Sequence, residues 1–535
     1  MKKIKYILTL VSFIAIVVQG CKEDEVFQDP YSGAKEPLGV TLRRDLPAEP
    51  SSGEIGSEVT VQVSGLMAYK DELQFMFNGQ QAEVMEVTDS HIKVKVPKYG
   101  SSGVTSIAIG DQLIIGPYFT VEGKVNVDPT WVPAKGTNGT VNQFYGLTDG
   151  RYLLLGGFTN YDDKGIVSPL NRIVRISGNG DLDRSFRTGN AANGELSDVV
   201  LVGDRFAIAG GFSGYGQRNN ISNITMLNPN GSIDSVGVRP FRRPDQSDTL
   251  IYVPRFNGGT NSYISKIYNV GNKIVATGNF RYYVSRRYDQ PNYTERRDTI
   301  ILDSIEARQI IRLLPDGSLD KTYRFNQATG TAFTAANGNI ATYMHTDGAY
   351  NQKLLVFGKF NTFDGEPAVN IVRLNPDGTK DNTFNPGSGP DNNVNTVTYN
   401  PVTQKYVLTG SFRTYNGQPA ERIAVVNLDG SLDNTFKARA LGGGYPGFAK
   451  QLNDGLIVVS GGFKTYNNIA RNGFMILTPD GDIAEGYNNT GIFSGFLNNV
   501  VETTSADGKR ALLLYGAFSR FDNKQVYNIL RVTIE

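Results

Sequence analysis

The chain has 535 residues, which is long enough for more than one domain, because a single hydrophobic core rarely grows beyond about 300 residues. Its 53 Lys and Arg residues balance 52 Asp and Glu residues, and the net charge of +1 excludes a global field that would attract nucleic acid or an anionic membrane. With 60 glycines, 27 tyrosines and 28 phenylalanines but one cysteine and two histidines, the composition favours an all-β protein and argues against chemistry built on Cys or His.

The first predicted element is an export signal at residues 1–20. Lys2, Lys3 and Lys5 precede the apolar run "YILTLVSFIAIVV", which is too short to span a bilayer comfortably, and the sole cysteine follows at Cys21. The stretch "VQGC" resembles a bacterial lipoprotein box, which implies that Cys21 becomes the lipidated first residue of the mature protein. The alternative is a chance cysteine beside an ordinary signal peptide.

An acidic tether is predicted at residues 21–36. It begins with "KEDE", Lys22 to Glu25, and continues through Pro30 and Gly33. The acidic run resembles the export tag of surface lipoproteins in Gram-negative bacteria that import polymers through paired outer-membrane complexes. That resemblance implies an outer-membrane protein facing the cell exterior and held to the membrane by its lipid only. The alternative is the solvated start of a linker.

A small Ig-like sandwich is predicted over residues 37–123. Short runs such as "GSEVTVQVSG", "SHIKVKV" and "GPYFTVEG" alternate apolar and polar residues, which is the period of half-buried antiparallel strands. The order of these pieces resembles the IPT/TIG family, whose members outside the cell serve as spacers or docking modules. His91 is interpreted as a strand residue, because no second histidine or cysteine is near it in sequence.

Repeats fill residues 124–535. A strand ending in Gly-x-Phe occurs seven times, and each of the first six copies leads into another strand, a turn such as "PDG" or "LDG", and a piece such as "SLDNTF". Repeats of about 50 to 55 residues, with about four short strands each, predict a seven-bladed β-propeller. The repeats resemble the delta-60 family of propeller-forming repeats, which implies the fold and no activity. The seven signatures are Gly156/Phe158, Gly210/Phe212, Gly278/Phe280, Gly358/Phe360, Gly410/Phe412, Gly461/Phe463 and Gly516/Phe518.

The turn between these strands contains Asp377, Asp429 and Asp480 in three of the copies. Asp favours such turns because its side chain bonds the backbone, and the following Gly accepts a positive φ. These residues are therefore predicted to have a structural role. The alternative, a calcium site in Asp-Gly-x-x-Asp, needs more converging oxygens than one turn supplies.

The two ends of the chain predict how the ring closes. The seventh copy stops at "NILRVTIE" without its outer piece, whereas "DPTWVPAKGTNGTV", Asp128 to Val141, reads like "DNTFNPGSGPDNNV", Asp381 to Val394. An N-terminal strand is therefore expected to complete the last blade, which leaves no open sheet edge. Trp131 falls at the position of Phe384 and is predicted to be a closure residue.

Two insertions interrupt the regular spacing, "VGVRPFRRPDQSDTLIYVPRFNGG" and "RYYVSRRYDQPNYTERRDTIILDSIEA". Their places in the second and third blades put both on the same face of a propeller. A surface rich in Tyr and Arg is typical of recognition sites for sugars or peptides. The alternatives are a plain β-hairpin extension or a pad that packs on another subunit. The predicted ligand- or partner-binding residues are Arg239, Phe241, Arg242, Arg243, Tyr252, Arg255, Phe256, Tyr282, Tyr283, Arg286, Arg287, Tyr288, Tyr293, Arg296 and Arg297.

No catalytic residue and no cofactor or metal is predicted. His91 and His345 fall in different predicted domains, so they cannot share a triad or a metal site. The layout resembles accessory lipoproteins of SusC/SusD-type uptake systems, which implies a non-catalytic binding or docking subunit of a TonB-dependent importer and its lid lipoprotein, with a glycan or peptide as ligand. The alternatives are a polysaccharide hydrolase or lyase with paired carboxylates and a purely structural assembly protein.

Overall fold

A computed structural model describes residues 37–239, 250–288 and 301–535. Over these ranges the protein is almost entirely β-structure, and its helical segments are two 3₁₀ turns, Met67–Tyr69 and Gly348–Tyr350. None of the helical segments in the described ranges has the length and apolar character needed to cross a membrane. The predicted signal peptide, Cys21 and the acidic tether lie outside the described residues.

The N-terminal region consists of two sheets that share one hydrophobic core. The sheets have strand orders β1-β3-β7-β6 and β2-β9-β8-β4-β5, and their buried side chains include Val59, Val61 and Phe77. Both sheets lie within the predicted range 37–123. The strands are β1 (Thr41–Leu42), β2 (Ser52–Gly53), β3 (Glu58–Ser64), β4 (Gln74–Phe77), β5 (Gln80–Gln81), β6 (Glu83–Val87), β7 (His91–Lys95), β8 (Gly103–Ile109) and β9 (Gln112–Val121).

The C-terminal region is built from short antiparallel strands with brief connections. The first part contains β10 (Val125–Val127), β11 (Val141–Gly146), β12 (Tyr152–Gly156), β13 (Ile173–Ile176), β14 (Glu195–Val202), β15 (Arg205–Gly211), β16 (Ile224–Leu227), β17 (Ser235–Val238), β18 (Ile251–Pro254), β19 (Gly259–Thr260), β20 (Lys266–Val270), β21 (Lys273–Thr277), β22 (Tyr282–Arg287), β23 (Ile301–Glu306), β24 (Ile310–Leu313), β25 (Asn339–Met344), β26 (Leu354–Lys359), β27 (Thr362–Phe363), β28 (Glu366–Pro367) and β29 (Ile371–Leu374). The second part contains β30 (Val394–Asn400), β31 (Lys405–Gly410), β32 (Thr414–Tyr415), β33 (Gln418–Pro419), β34 (Ile423–Asn427), β35 (Leu441–Gly442), β36 (Pro446–Gln451), β37 (Ile457–Gly461), β38 (Thr465–Tyr466), β39 (Ile469–Ala470), β40 (Phe474–Leu477), β41 (Ser494–Thr504), β42 (Arg510–Phe521), β43 (Lys524–Gln525) and β44 (Ile529–Ile534).

These strands form sheets that we number as units 1 to 7. The units are β11-β12-β13, β14-β15-β16, β20-β21-β24, β25-β26-β29, β30-β31-β34, β36-β37-β40 and β41-β42-β44. The first strand of each unit contacts the first strand of the next, and the first strand of unit 7 contacts that of unit 1. The first strands therefore follow one another in cyclic order.

Side chains on these first strands tie neighbouring units together. In each case a polar side chain of one unit donates a hydrogen bond to a backbone carbonyl of the next, which satisfies a group that would otherwise be buried unpaired. The pairs are Asn142 with Leu196 (2.9 Å), Ser197 with Ile264 (2.6 Å), Tyr268 with Thr342 (3.0 Å), Thr398 with Ala449 (2.8 Å), Lys450 with Val500 (2.7 Å) and Asn498 with Val141 (2.9 Å). Between units 4 and 5, His345 Nε2 hydrogen-bonds the Tyr406 hydroxyl instead.

The glycine of each Gly-x-Phe signature is required by a close backbone approach. At Gly156 a Cβ atom would lie 1.9 Å from the carbonyl oxygen of Thr140, and at Gly410 it would lie 2.1 Å from that of Asn393. Both distances are far below van der Waals contact, so no larger residue fits without moving the backbone. At each of the other five signature glycines, an added Cβ atom would lie within 2.6 Å of the equivalent carbonyl oxygen.

The aromatic residue three positions after the signature Phe anchors the turn of the same unit. The hydroxyl groups of Tyr215, Tyr415 and Tyr466 donate to the carbonyl oxygens of the turn glycines Gly231, Gly430 and Gly481, at 2.9, 2.7 and 2.6 Å. These tyrosines are buried, and a buried hydroxyl needs such a partner. The repeated aromatic residue is therefore a structural link between two parts of one unit.

The N-terminal strand pairs with the last unit, as the sequence predicts. β10 is antiparallel to β44, and Val127 lies opposite Val532. The equivalent backbone pair in unit 4 is Lys380 with Leu374. The carboxylate of Asp128 accepts a hydrogen bond from Arg531, and the Arg531 guanidinium lies 5.1 Å from the Trp131 ring. In unit 4, Arg373 pairs with Asp381 and lies 4.9 Å from the Phe384 ring. Trp131 therefore takes the closure position of Phe384.

The N-terminal region is attached to units 6 and 7 through buried hydrogen bonds. The Ser102 amide donates to the Asn489 carbonyl (2.8 Å), and the Asn523 side chain donates to the Ser102 carbonyl (2.9 Å). The Arg471 guanidinium donates to the Tyr99 carbonyl (3.1 Å). These hydrogen bonds are withdrawn from water in whole or in part, and they join the N-terminal region to both units.

Candidate functional site

The two insertions meet on one side of unit 3, where they form extra β-structure. β17 and β18 form a hairpin, and β19 pairs with β22, which in turn pairs with β23. Gly259 of the first insertion lies opposite Val284 of the second. The Asn257 side chain accepts a hydrogen bond from the Arg286 amide (2.9 Å) and donates to the Arg286 carbonyl (2.7 Å). The predicted approach of the two segments is therefore present, and it is fixed by backbone pairing.

Several of the predicted contact residues lie on the outside of these hairpins. Tyr252 on β18 is 56% exposed, and the guanidinium of Arg218 lies 5.6 Å from its ring. Tyr282 on β22 is half-buried and is covered on one side by Arg281. The Arg287 guanidinium lies 3.5 Å from the Asp303 carboxylate. Arg239 is exposed just after β17, and Tyr288 is half-buried just after β22.

Two of the predicted contact residues belong to the core instead of the surface. Tyr283 is 4% exposed, and its hydroxyl donates to the Gly317 carbonyl (3.2 Å), which is the turn contact made by Tyr215 and Tyr415. Phe256 is buried in the same hydrophobic cluster. The prediction that these two side chains face a ligand is wrong, because their apolar area is already used inside unit 3.

Two of the predicted arginines are held by neighbouring side chains. Arg286 is partly buried and donates to the Ser222 hydroxyl (3.0 Å), and burial lowers the pKa of its guanidinium. The Arg255 guanidinium lies 3.2 Å from the Asp234 carboxylate. Phe241, Arg242, Arg243, Tyr293, Arg296 and Arg297 lie outside the described residues, so their part in the site stays a prediction.

An open groove of about 520 Å³ runs beside the paired insertions. It is lined by the signature residue Phe212 with its neighbour Gly211, and by Val284 and Leu302 of the second insertion. The polar lining residues are Asn193, Ser213, Ser222, Asn223, Thr260 and Asn261. Half of the lining residues are therefore polar, so the groove can offer both apolar contact and hydrogen bonds. Sequence reasoning missed these asparagines, although Asn recurs at the same places in several copies.

Aspartates of the repeated turns use their oxygens locally. Asp377 Oδ1 accepts from the Thr379 amide (3.0 Å) and hydroxyl (2.7 Å), and Asp429 makes the same contacts with Ser431. The hydrogen bond from Thr379 holds the pKa of the Asp377 carboxyl below its ordinary value. These contacts support the predicted structural role. Among the described residues no cluster of His, Cys, Asp or Glu has the arrangement of a metal site.

Buried carboxylates near the first strands are also engaged. Asp198 accepts hydrogen bonds from the Val199 and Ile267 amides (both 3.0 Å), and Lys266 Nζ lies 3.7 Å from it. Burial raises the pKa of Asp198. Asp320 is paired with Lys273 and Arg312. Each carboxylate therefore satisfies the groups that surround it.

Both histidines have neighbours that explain their positions without catalysis. His91 Nδ1 contacts the Thr88 hydroxyl (2.9 Å) at the start of β7. His345 is buried among tyrosine rings, and the centroid of the Tyr399 ring lies 4.6 Å away. Burial, together with the charges of Arg373 and Lys353, lowers the pKa of His345 to about 4. His345 is therefore neutral at pH 7.

Comparison with protein families gives two matches. The family described as "Domain of unknown function (DUF5122) beta-propeller" matches residues 352–384 and 405–436. In units 4 and 5 these ranges begin at or just before the second strand and end at Phe384 and Phe436. The family described as "Domain of unknown function (DUF5008)" matches residues 17–117. The chain is therefore an all-β protein that contains propeller-type repeats. Among the curated proteins compared, none matches the chain.

Solved structures with similar architecture were also found. An auxiliary nutrient binding protein from Bacteroides thetaiotaomicron VPI-5482 shows 9% identity and a TM-score of 0.36, covering 92% of this chain and 99% of that one. An auxiliary nutrient binding protein from Bacteroides ovatus ATCC 8483 shows 11% identity and a TM-score of 0.31, covering 93% and 98%. The WD40 β-propeller domain of Doa1 shows 12% identity and a TM-score of 0.37, covering 77% and 96%. At these values the likenesses carry no argument about function.

Proposed function

We propose that this protein is a non-catalytic accessory subunit of an outer-membrane nutrient import complex, held at the cell surface by a lipid on Cys21. Its partners are a TonB-dependent importer and the lid lipoprotein of that importer, and its ligand is a polymer that the complex takes up. Units 1 to 7 are the blades of a seven-bladed β-propeller, and the N-terminal region is an IPT/TIG-like Ig domain that serves as a spacer.

The paired insertions carry this proposal. Tyr252, Tyr282 and Arg287 project from two hairpins that are locked together by β19 and β22. Tyr and Arg are the residue types that contribute most to protein interfaces. A surface fixed by backbone pairing loses little conformational freedom when it binds, which favours affinity. The groove beside the hairpins extends the same contact surface.

The contacts of the buried carboxylates favour binding over hydrolysis. A glycosidase needs two carboxyl groups that face each other across the scissile bond and remain free to act. Asp198 and Asp320 instead accept hydrogen bonds from backbone amides or pair with Lys and Arg. No specific contact of the described residues favours the hydrolase or the purely structural alternative.

Docking through the insertions is tested with the variant Tyr252→Ala/Tyr282→Ala. We expect the wild-type protein to retain the importer and its lid protein in a mild-detergent pull-down from its own outer membrane. We expect the double variant to retain about tenfold less, because each tyrosine supplies rigid contact area at the interface. The readout is the molar ratio of partner to bait.

Leu113→Ala is the matched control, because Leu113 is also 56% exposed but lies on β9 of the N-terminal region. This variant should retain the partners fully. Equal retention by the double variant would remove the insertions from the interface, and isolation of the wild-type protein alone would contradict the accessory role.

The lipid anchor is tested with Cys21→Ala. This variant cannot accept a lipid at that position. Because the lipid is the proposed attachment to the membrane, we expect the variant to leave the membrane fraction and to appear in the soluble fraction after cell lysis. The measurement is the distribution between membrane and soluble fractions, with Lys22→Ala as the control. Membrane retention of Cys21→Ala would contradict the anchor.

A further inference from the structure

One residue of each unit stands at the same end of the cyclically ordered first strands. It is the residue whose carbonyl oxygen faces the signature glycine, so the seven residues occupy equivalent places. We call them the mouth ring, and they are Thr140, Glu195, Tyr263, Asn339, Asn393, Tyr445 and Phe496. Each stands at or near the start of a first strand, beside the end of the second strand, and this is the face from which both insertions emerge.

Three of the seven positions hold large aromatic residues that are exposed. Tyr445 is 64% exposed, Phe496 is 50% exposed and Tyr263 is 39% exposed. Tyr445 and Phe496 belong to the neighbouring units 6 and 7, whereas Tyr263 belongs to unit 3 on the other side of the ring. Equivalent positions in other units hold Thr, Asn or Glu, so the fold itself does not require an aromatic residue there.

Neighbouring residues contact two of the three rings, those of Tyr445 and Tyr263. The Arg422 guanidinium lies 4.3 Å from the Tyr445 ring, which is the geometry of a cation–π contact. A Cβ atom on Gly211 would lie 2.9 Å from Tyr263 Cδ2, so the Tyr263 ring packs closely against Gly211, a residue without a side chain. Rings fixed in this way lose little freedom on binding.

Polar side chains stand between the aromatic ones. Glu195 is exposed, and its Oε1 accepts a hydrogen bond from the Asn142 side chain (2.6 Å), which orients the carboxylate. Asn339 is exposed at the equivalent position of unit 4. The mouth ring thus combines three aromatic side chains with four that can accept or donate hydrogen bonds.

We propose that the mouth ring binds a neutral oligosaccharide. Tyr445 and Phe496 stack against the C–H faces of sugar rings on one side and Tyr263 on the other, while Glu195 and Asn339 bond hydroxyl groups. Aromatic faces with a polar rim suit a ligand that is apolar on its faces and polar at its edges. The site deepens the proposed function by naming the ligand class, and it rests on that function only in treating the protein as a binding subunit.

The geometry favours a sugar chain over a peptide. Peptides are commonly bound as an added strand on a free sheet edge, or by a groove that takes a helix. Each first strand is the edge strand of its sheet, but the mouth-ring residues stand at or near its end, so on this face they present only a short stretch of backbone to an added strand. The seven positions hold one carboxylate and no Lys or Arg. Counted with the neighbouring Arg422, the site has one positive and one negative side chain, so it has no excess positive charge that would favour an acidic chain.

The test uses the full chain against an array of neutral oligosaccharides, an array of uronic-acid oligosaccharides and a peptide array. We expect the wild-type protein to bind at least one neutral oligosaccharide, and we expect Tyr445→Ala/Phe496→Ala to weaken that binding by about tenfold or more in calorimetry. Tyr445→Phe keeps the ring and should retain the affinity. Leu113→Ala, which alters an exposed residue of the N-terminal region, should bind the sugar as the wild type does.

Each other result overturns the inference. These results are no binding to any neutral oligosaccharide, binding to uronic acids or peptides alone, or full affinity in the mouth-ring variants. If the double variant fails to fold, Phe496→Leu replaces it in the affinity measurement. The pull-down of importer and lid protein separates the two proposals. Full retention of the partners by Tyr252→Ala/Tyr282→Ala, together with sugar binding by the wild type, would contradict docking through the insertions and leave the mouth ring supported.

Discussion

Replacing Gly461 by alanine is expected to lower the free energy of unfolding by about 3 kcal/mol or more. A Cβ atom at this signature glycine would lie 2.3 Å from the Tyr445 carbonyl oxygen and 2.8 Å from the Gly447 amide nitrogen. The carbonyl cannot turn away freely, because it accepts a hydrogen bond from the Gly462 amide (2.9 Å). Relief of the clash would therefore separate the first and second strands of unit 6.

The next residue provides a matched control for this prediction. A Cβ atom on Gly462 would meet no atom within 4 Å, so Gly462→Ala should change the free energy of unfolding by about 0.5 kcal/mol or less. Urea unfolding followed by tryptophan fluorescence and circular dichroism measures both variants. Equal stability of the two variants would contradict the explanation of the Gly-x-Phe signature by a close backbone approach.

Much of the repeat architecture could be predicted because its causes are local. The turn aspartate of unit 4, Asp377, bonds the residue two positions ahead, and the turn glycine Gly378 has a φ of +88°, which glycine accepts more readily than other residues. The closure of the last unit was predictable for a similar reason. Asp128 and Trp131 repeat the spacing of Asp381 and Phe384, so the missing piece could be recognised at the other end of the chain.

Tyr283 shows where composition misled the prediction. The residue stands in a segment rich in Tyr and Arg, which favours an exposed surface, but it also lies three residues after Phe280. That second pattern decides its place, because the position is buried in the other units and its hydroxyl is needed by the turn. The periodic signal was present in the sequence and outweighs the local composition.

The mouth ring could not be read from the sequence in the same way. Tyr263 and Tyr445 precede a first strand and Phe496 lies near the start of one, whereas many other aromatic residues of the chain are buried. Their exposure depends on which residues of neighbouring units lie beside them, such as Gly211 next to Tyr263. These contacts join residues that are tens of positions apart, and they emerge only when the units are assembled.

Arg531→Met is expected to destabilise the protein by about 3–5 kcal/mol, because it leaves the carboxylate of Asp128 buried without its partner. The side chains of Arg531 and Asp128 are 2% and 0% exposed. Arg531 also donates to the Gly178 carbonyl (3.0 Å) and the Thr130 hydroxyl (2.9 Å). Urea unfolding of the variant measures the loss, and limited proteolysis shows whether cleavage begins near β10.

Two further variants distinguish the loss of stability caused by breaking the closure contact from the loss caused by removing any ion pair. Arg281 and Glu306 are 56% and 46% exposed, so Arg281→Met should cost about 1 kcal/mol or less. Asp128→Asn/Arg531→Met removes both buried charges and should recover part of the stability, since no unpaired ion then remains. If Arg531→Met and Arg281→Met unfold alike, the strand from the N-terminus is not held by this pair. In that case the pairing of β10 with β44 and the packing of Trp131 close the ring by themselves.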